Sequence, residues 1–389
     1  MHILHVVRTL DPAAGGVIEC VRQMGLSSVQ DGHRVTIAAL DEGDEPWWSS
    51  FELPAIALGR GRGTYGYVAT ATDRLRTAIK TADVVIADGL WQYHSRLVHR
   101  VCAGRIPYMV YPHGMLDPWF KRQYPLKHLK KYLYWLAAER AVLRDASAVI
   151  FTADDERRLA RESFRPYRAT EAVQAIGSAG AANDANSIAG QQLAFANACP
   201  AVVGHPFILF LSRIHEKKGI DLLLAAFCQQ AAAHPQVHLV IAGPDPDHLQ
   251  SKLMAAITNT ALEARIHWPG MLRGEAKWGA FRAAHGFCLP SHQENFGLVI
   301  AEALACGTPV LTTTQVNIWR EVVAAGAGAA VTDTAPAISD MLGTFLALPE
   351  NHRRGMGERG VGLFNQTFAI TTAARARNRF FSQVIAHHA

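Results

Sequence analysis

Three observations predict an α/β fold built as two doubly wound halves. Short apolar runs alternate with longer amphipathic stretches along nearly the whole chain, the pattern of parallel sheets with crossover helices. The pattern blurs once, at residues 177–183, where the residues are small and polar, and then restarts. The chain has 389 residues, of which 49% are hydrophobic and 18% charged, enough for two separate cores.

In the first half, 2–7, 34–39, 84–87, 107–111 and 148–151 are apolar, short and rich in β-branched residues, and are expected as strands. Residues 17–29, 67–80, 126–144 and 154–162 carry helical periodicity. In the second half the expected strands are 206–211, 237–242, 265–268, 286–289 and 309–313. The expected helices there are 222–232, 248–256 and 297–306. Residues 365–389 read as one terminal helix with no strand after it. The resulting division is a first domain at 1–176, a linker at 177–200, a second domain at 201–364 and the terminal helix at 365–389.

This composition excludes a disordered chain. A net charge of +5 permits an anionic partner without demanding nucleic acid. The run 2–7 is too short for a signal sequence and is followed by Arg8. The longest uncharged stretch, 185–212, is broken by Asn, Gln, Gly and Pro and is not expected to span a membrane. The six cysteines show no paired ligand spacing. Cys102, Cys228, Cys288 and Cys306 lie among apolar residues and read as buried thiols in a reducing cytoplasm.

Four motifs stand at strand ends. Glu294, Asn295, Phe296, Gly297 and Leu298 lie between a strand and a helix, where open α/β sheets bind ligands, and Glu302 follows about 1.5 turns into that helix. Two carboxylates so placed can accept hydrogen bonds from several hydroxyls, and helix-start amides can hold phosphate. Arg213 and Lys218 follow the 206–211 strand and can converge on one anion, as a diphosphate requires. His113 follows a buried strand and precedes Gly114. Gly15 and Gly16 let backbone amides approach an anion at a helix start. Asp245-Pro246-Asp247 resembles a metal-binding Asp-x-Asp but follows a strand-end turn, so no metal is expected there. Residues 59–63, with alternating Gly and Arg, read either as a mobile surface loop or as a lid or acceptor contact.

The segment 121–144 contains Lys121, Arg122, Lys127, Lys130, Lys131, Arg140 and Arg144 against one acid, Glu139. Tyr124, Tyr132, Tyr134 and Trp135 interleave, and Leu129, Leu133 and Leu136 recur at helical spacing. Either it packs in the domain with a solvated basic face, or it lies on an anionic membrane with its aromatics at headgroup depth.

The run Glu294-Asn295-Phe296-Gly297 through Glu302-Ala303 to Pro309-Val310 resembles the signature of the retaining glycosyltransferases of family 4. Arg213 and Lys218-Gly219 are similar to that family's diphosphate motif, and His113-Gly114-Met115-Leu116 to its first-domain histidine motif. The resemblance implies a GT-B fold: two Rossmann-like domains facing an interdomain cleft, with a C-terminal helix crossing back to the first domain. It implies catalytic roles for Glu294, His113, Arg213 and Lys218. It implies donor binding by Arg213, Lys218, Glu294, Asn295, Phe296, Gly297, Leu298 and Glu302, and phosphate or acceptor contact by Gly15 and Gly16. The family's Gly-Gly after the Pro-Val strand is replaced here by residues 316–321, with Asn317 or backbone groups as substitutes. The expected reaction is metal-independent, cofactor-free transfer of a hexose from GDP-mannose or a UDP-hexose to a glycan acceptor. A polyprenyl-diphosphate-linked acceptor in bacterial exopolysaccharide or O-antigen synthesis is expected. So is peripheral contact with the inner membrane face through Lys121, Arg122, Lys127, Lys130, Lys131 and Trp135. An epimerase or phosphorylase of the same fold, or a non-catalytic nucleotide-sugar-binding partner, is the alternative.

Overall fold

The structure is a computed structural model, and it describes residues 1–388 apart from 256, 258 and 259. The chain forms two compact units, Met1–Gly177 with Ile370–Ala389, and Ser178–Ala369. The first holds a seven-stranded sheet of β1 (His2–Val7), β2 (Arg34–Ala39), β3 (Ala55–Ala57), β4 (Val84–Asp88), β5 (Tyr108–Tyr111), β6 (Ala148–Phe151) and β7 (Glu171–Val173). Its order is β3-β2-β1-β4-β5-β6-β7, and every pairing is parallel. The second holds β8 (Phe207–Leu211), β9 (His238–Ala242), β10 (Ile266–Gly270), β11 (Gly286–Leu289), β12 (Val310–Thr313) and β13 (Gly328–Val331). Their order is β10-β9-β8-β11-β12-β13, again all parallel. Every strand named from the sequence is present within one or two residues. The additions are β3, β7 and β13, at the sheet edges, which are too short or too weakly apolar to show as runs.

Both faces of each sheet are buried, which is why central strands read as continuous apolar runs rather than alternating ones. In the first unit Leu4, Val6, Val85, Val110 and Phe151 face one core, and Ile3, Val7, Ile86, Met109 and Ile150 the other. Helix Ile370–His388 closes the second of these cores with Phe381. Arg377 of that helix is buried and donates to the Met24 carbonyl and the Ser28 hydroxyl, both at 2.9 Å.

Some helices differ from expectation. The first-unit helix Tyr93–Cys102 was hidden by its own His and Arg residues. Helix 67–80 starts at Ala71, because Tyr67 pairs back on Arg62. The segment 126–144 is two α-helices, Pro125–Tyr134 and Arg140–Arg144, joined by a π-helical turn, Trp135–Glu139. Trp135 is 0% exposed and stacks on Phe164 and Tyr167, so the expected membrane contact through Trp135 is corrected: it is a core residue. Residues 177–200 include helix Ala185–Ala198, packed on helix Gly274–Ala283. A Cβ on Gly279 would lie 1.9 Å from the Gln191 carbonyl oxygen, so only glycine allows that approach. The expected 248–256 helix runs Leu249–Ala255, Ala256 lying outside the described residues. The terminal helix begins at Ile370, and Ala389 also lies outside them. All six cysteines are free, with Cys228 and Cys306 only half-buried.

In the second unit Gly219 has φ 64°, and a Cβ there would meet the Pro290 carbonyl oxygen at 2.0 Å. Gly219→Ala is therefore expected to destabilise this unit by about 1–3 kcal/mol, read as a lowered midpoint in denaturant unfolding. An unchanged midpoint would show that the contact can relax freely.

Candidate functional site

In each sheet the winding reverses beside the first strand, at β1/β4 and at β8/β11. Crossover helices leave such a point toward opposite faces, so a crevice opens at the carboxyl ends of those strands. The expected site residues fall at these two places, and each unit is described in turn.

In the first unit, β1 continues into a short turn, Pro12–Ala14, held by Asp11, whose carboxylate accepts the Ala13 amide at 2.8 Å. Gly15 follows at φ 91°, and Gly16 opens helix Gly16–Gln30. Its N-cap is Gly15, which has no side chain to cap the helix, and helix-start amides suit an anion. A cavity of about 700 Å³ lies alongside, lined by Arg8, Asp41, Trp47, Arg60, Asp88 and Met115 among others. Arg8 donates to the carbonyls of Leu40, Gly61 and Gly63, each at 3.3 Å. The Gly-Arg loop is therefore pinned to β1 and forms a wall of the cavity, which corrects its reading as a mobile surface loop.

His113 stands after β5 with φ 49°, an uncommon backbone state for a residue with a side chain. Two buried carboxylates hold it there. Glu156 accepts the Gly114 amide at 2.6 Å and the Thr152 amide and hydroxyl at 2.7 Å. Asp88, at the end of β4, accepts from His113 Nε2 at 3.0 Å and from His5 Nδ1 at 2.7 Å. Its backbone carbonyl meets His94 Nε2 at 2.9 Å. Burial raises the Asp88 pKa, but the His5 and His113 imidazoles outweigh it and bring it down to about 2. An ionised carboxylate can only accept, so His113 Nε2 is the donor in this bond. Asp88 and Glu156 were missed in the sequence. The usable signal for Asp88 was an acid at the carboxyl end of a strand.

In the second unit, close backbone approach brings the loops together. Gly219 lets the turn Glu216–Lys218 lie against the end of β11, and the His292 amide donates to the Lys217 carbonyl at 2.8 Å. Gly243 similarly packs on Ser212, where a Cβ would sit 1.8 Å from its carbonyl oxygen. Lys218 consequently forms a direct ion pair with Glu294. Glu294 is also held by its backbone: its amide donates to Gln315 at 3.0 Å, and its carbonyl accepts the Asn317 amide at 3.2 Å. Asn317 donates to the Asn295 side chain at 3.2 Å, so it braces this loop. Gly297 adopts φ 71° to start helix Leu298–Ala305. Phe296 is buried edge-on against Phe368, which places it beneath the loop as an anchor. Glu302 pairs with Lys277 at 2.8 Å, a residue that no sequence pattern singled out. Arg213 is exposed and has no ion-pair or hydrogen-bond partner among the described residues. Asp245 caps a helix, accepting the Leu249 and Gln250 amides at 2.8 and 2.9 Å. Among the described residues no three His, Cys, Asp or Glu side chains converge as metal ligands.

This arrangement offers cations and carboxylates side by side at strand ends. The former suit phosphate and the latter suit hydroxyls. A model described as "Glycosyl transferase 4-like domain" matches residues 15–174, and one described as "Glycosyl transferases group 1" matches residues 197–361. The chain is 26% identical over 374 residues to a GDP-mannose-dependent alpha-(1-6)-phosphatidylinositol dimannoside mannosyltransferase of Mycobacterium tuberculosis, covering 94% of this chain and 92% of that one. Among solved structures, sucrose-phosphate synthase from Thermosynechococcus elongatus superposes with a TM-score of 0.74 at 21% identity, over 100% of both chains. Anabaena HepE in complex with UDP superposes with a TM-score of 0.77 at 18% identity, over 98% of this chain and 100% of that one.

Because the Asp88 pKa is depressed in the folded state, its carboxylate stabilises the fold above its ordinary value of 3.8. That contribution fades as pH falls toward 2. Asp88→Asn is expected to lower stability at neutral pH by about 2 kcal/mol or more. The gap from wild type should close on acidification, as followed by thermal melts across pH. A gap that does not depend on pH would contradict the assigned ionisation.

Proposed function

The chain belongs to the family-4 glycosyltransferases of GT-B fold, and we propose that it transfers a hexose from a nucleoside-diphosphate sugar with retention at the anomeric carbon. GDP-mannose is the first candidate donor, supported by the mannosyltransferase relative, and a UDP-hexose the second. The observation that carries this reading is the Lys218–Glu294 pair at the β8/β11 reversal, next to a helix start. The second unit is the donor unit in this proposal. Arg213 and Lys218 take the diphosphate charge as the sugar–phosphate bond breaks. Glu294 orients the sugar hydroxyls, Glu302 with Lys277 the ribose, and the amides after Gly297 the phosphate. The acceptor hydroxyl bonds to the anomeric carbon on the face the diphosphate leaves, and its proton passes to the departing phosphate oxygen.

The first unit takes the acceptor in the cavity beside Gly15 and Gly16, with His113 contacting the transferred sugar. The acceptor is proposed to be a glycan carried on a lipid, which the phosphatidylinositol-dimannoside relative supports. A polyprenyl diphosphate is the carrier expected for bacterial exopolysaccharide or O-antigen assembly. The setting is the cytoplasmic face of a membrane.

Lys218→Ala and Glu294→Ala are each expected to cut turnover about 10²–10³-fold with the fold intact. Sugar-nucleotide consumption and product release are the readouts, and near-normal turnover in either variant would overturn these two roles. Two protein cations serve the diphosphate in this scheme, so transfer is expected to persist at an undiminished rate in excess EDTA. A rate abolished by chelation and restored by a divalent ion would require a different scheme.

A further inference from the structure

Helix Pro125–Tyr134 and the π turn after it present two opposed faces. His128, Tyr132, Trp135 and Glu139 point inward: Trp135 is in the core, and His128 and Tyr132 pack on Phe164. Glu139 accepts the Trp91 amide at 3.0 Å and the Ser95 hydroxyl at 2.8 Å. The opposite face carries four leucines that none of the described residues covers. Leu126 is 84% exposed, Leu129 59%, Leu133 65% and Leu136 48%. A continuous leucine stripe of this exposure is uncommon on a soluble surface and marks a contact.

The rim identifies the occupant. Lys121, Arg122, Lys127 and Lys130 are all exposed along the same segment. The one acid of the segment is the buried Glu139, so no negative side chain of 121–144 faces outward. Arg165 and Arg168 are exposed nearby, where Tyr132 donates to the Arg165 carbonyl at 2.7 Å. The cores of protein–protein interfaces are rich in aromatics and poor in lysine. Here Tyr132 and Trp135 are turned inward, Tyr124 is the one exposed aromatic among the segment's four, and the leucines are fringed by lysines. That is the arrangement of a helix lying in the interface of an anionic bilayer. Among the described residues no helix is long and apolar enough to cross a membrane, so the contact is with its surface.

We infer that Leu126, Leu129, Leu133 and Leu136 enter the acyl boundary of an anionic lipid surface while Lys121, Lys127 and Lys130 contact its headgroups. The inference gives the membrane setting proposed above its docking surface and rests on that reading. Its test uses no donor or acceptor, so a failed transfer assay and failed lipid binding are told apart.

The full chain is floated with vesicles of phosphatidylcholine alone or with about one third phosphatidylglycerol. Wild type should partition onto the anionic vesicles and stay behind with the neutral ones. Leu129→Gln/Leu133→Gln alters only exposed side chains and should keep its melting temperature while binding about tenfold or more weakly. Lys121→Gln/Lys127→Gln/Lys130→Gln should lose a similar factor and much of the salt dependence. Failure of wild type to bind anionic vesicles at low ionic strength would overturn the inference, as would binding untouched by the leucine changes. A wild-type dimer in sedimentation that the leucine variant dissociates would assign the stripe to a second copy instead.

Discussion

A parallel sheet that reverses its winding beside the first strand cannot fill the ground at the carboxyl ends of the two strands involved, because their crossover helices depart to opposite faces. Here each unit has one such reversal. The groups with usable chemistry sit on it: Arg8, Gly15 and Asp88 at β1/β4, and Lys218 and Glu294 at β8/β11. Glycine is what makes the second of these workable. Gly219 and Gly243 remove the Cβ atoms that would collide with Pro290 and Ser212. Lys218 reaches Glu294 because those backbones touch.

The two units handle charge differently. The first buries carboxylates and uses them to fix geometry: Asp88 between His5 and His113, and Glu156 beneath the turn at Gly114. A buried charge with every oxygen occupied is costly to disturb, so these loops have little freedom. The second unit leaves its charged groups partly exposed and paired by single ion pairs, Lys218 with Glu294 and Lys277 with Glu302. A carboxylate held by one ion pair is less constrained than one with every oxygen occupied by a donor. The contrast is what the proposed function calls for: one unit holding the His113 imidazole still, and another whose cations can exchange a carboxylate for a phosphate.

Much of this was legible in the sequence. The central strands showed because parallel strands covered on both faces leave long apolar runs. His113, Lys218 and Glu294 showed because each follows such a run. Asp88 did not, since its partners at positions 5, 94 and 113 are brought together only by the sheet. Lys277 did not, because nothing in helix Gly274–Ala283 ties it to Glu302 until the helices pack. Trp135 was misread for a specific reason. Aromatics among lysines suggest an interface, but the π turn and the stack of Phe164 and Tyr167 claim that ring for the core. The leucines, an ordinary core residue by composition, were left outside.

Helix Ile370–His388 has a consequence for how the chain is made. It supplies Phe381 and Arg377 to a core whose other members, such as Ile3, Val21 and Ile37, lie near the start of the chain. The first unit is therefore discontinuous, while Ser178–Ala369 is one uninterrupted stretch. During synthesis from the N-terminus, the later-made unit can complete itself first. The earlier-made one must wait with an uncovered apolar face until residues 370–388 have left the ribosome. A nascent chain stalled before residue 370 would carry that face as a sticky intermediate, dependent on chaperones. The entropic cost of a long closing loop grows only with the logarithm of its length, so the delay is a burden on kinetics more than on final stability.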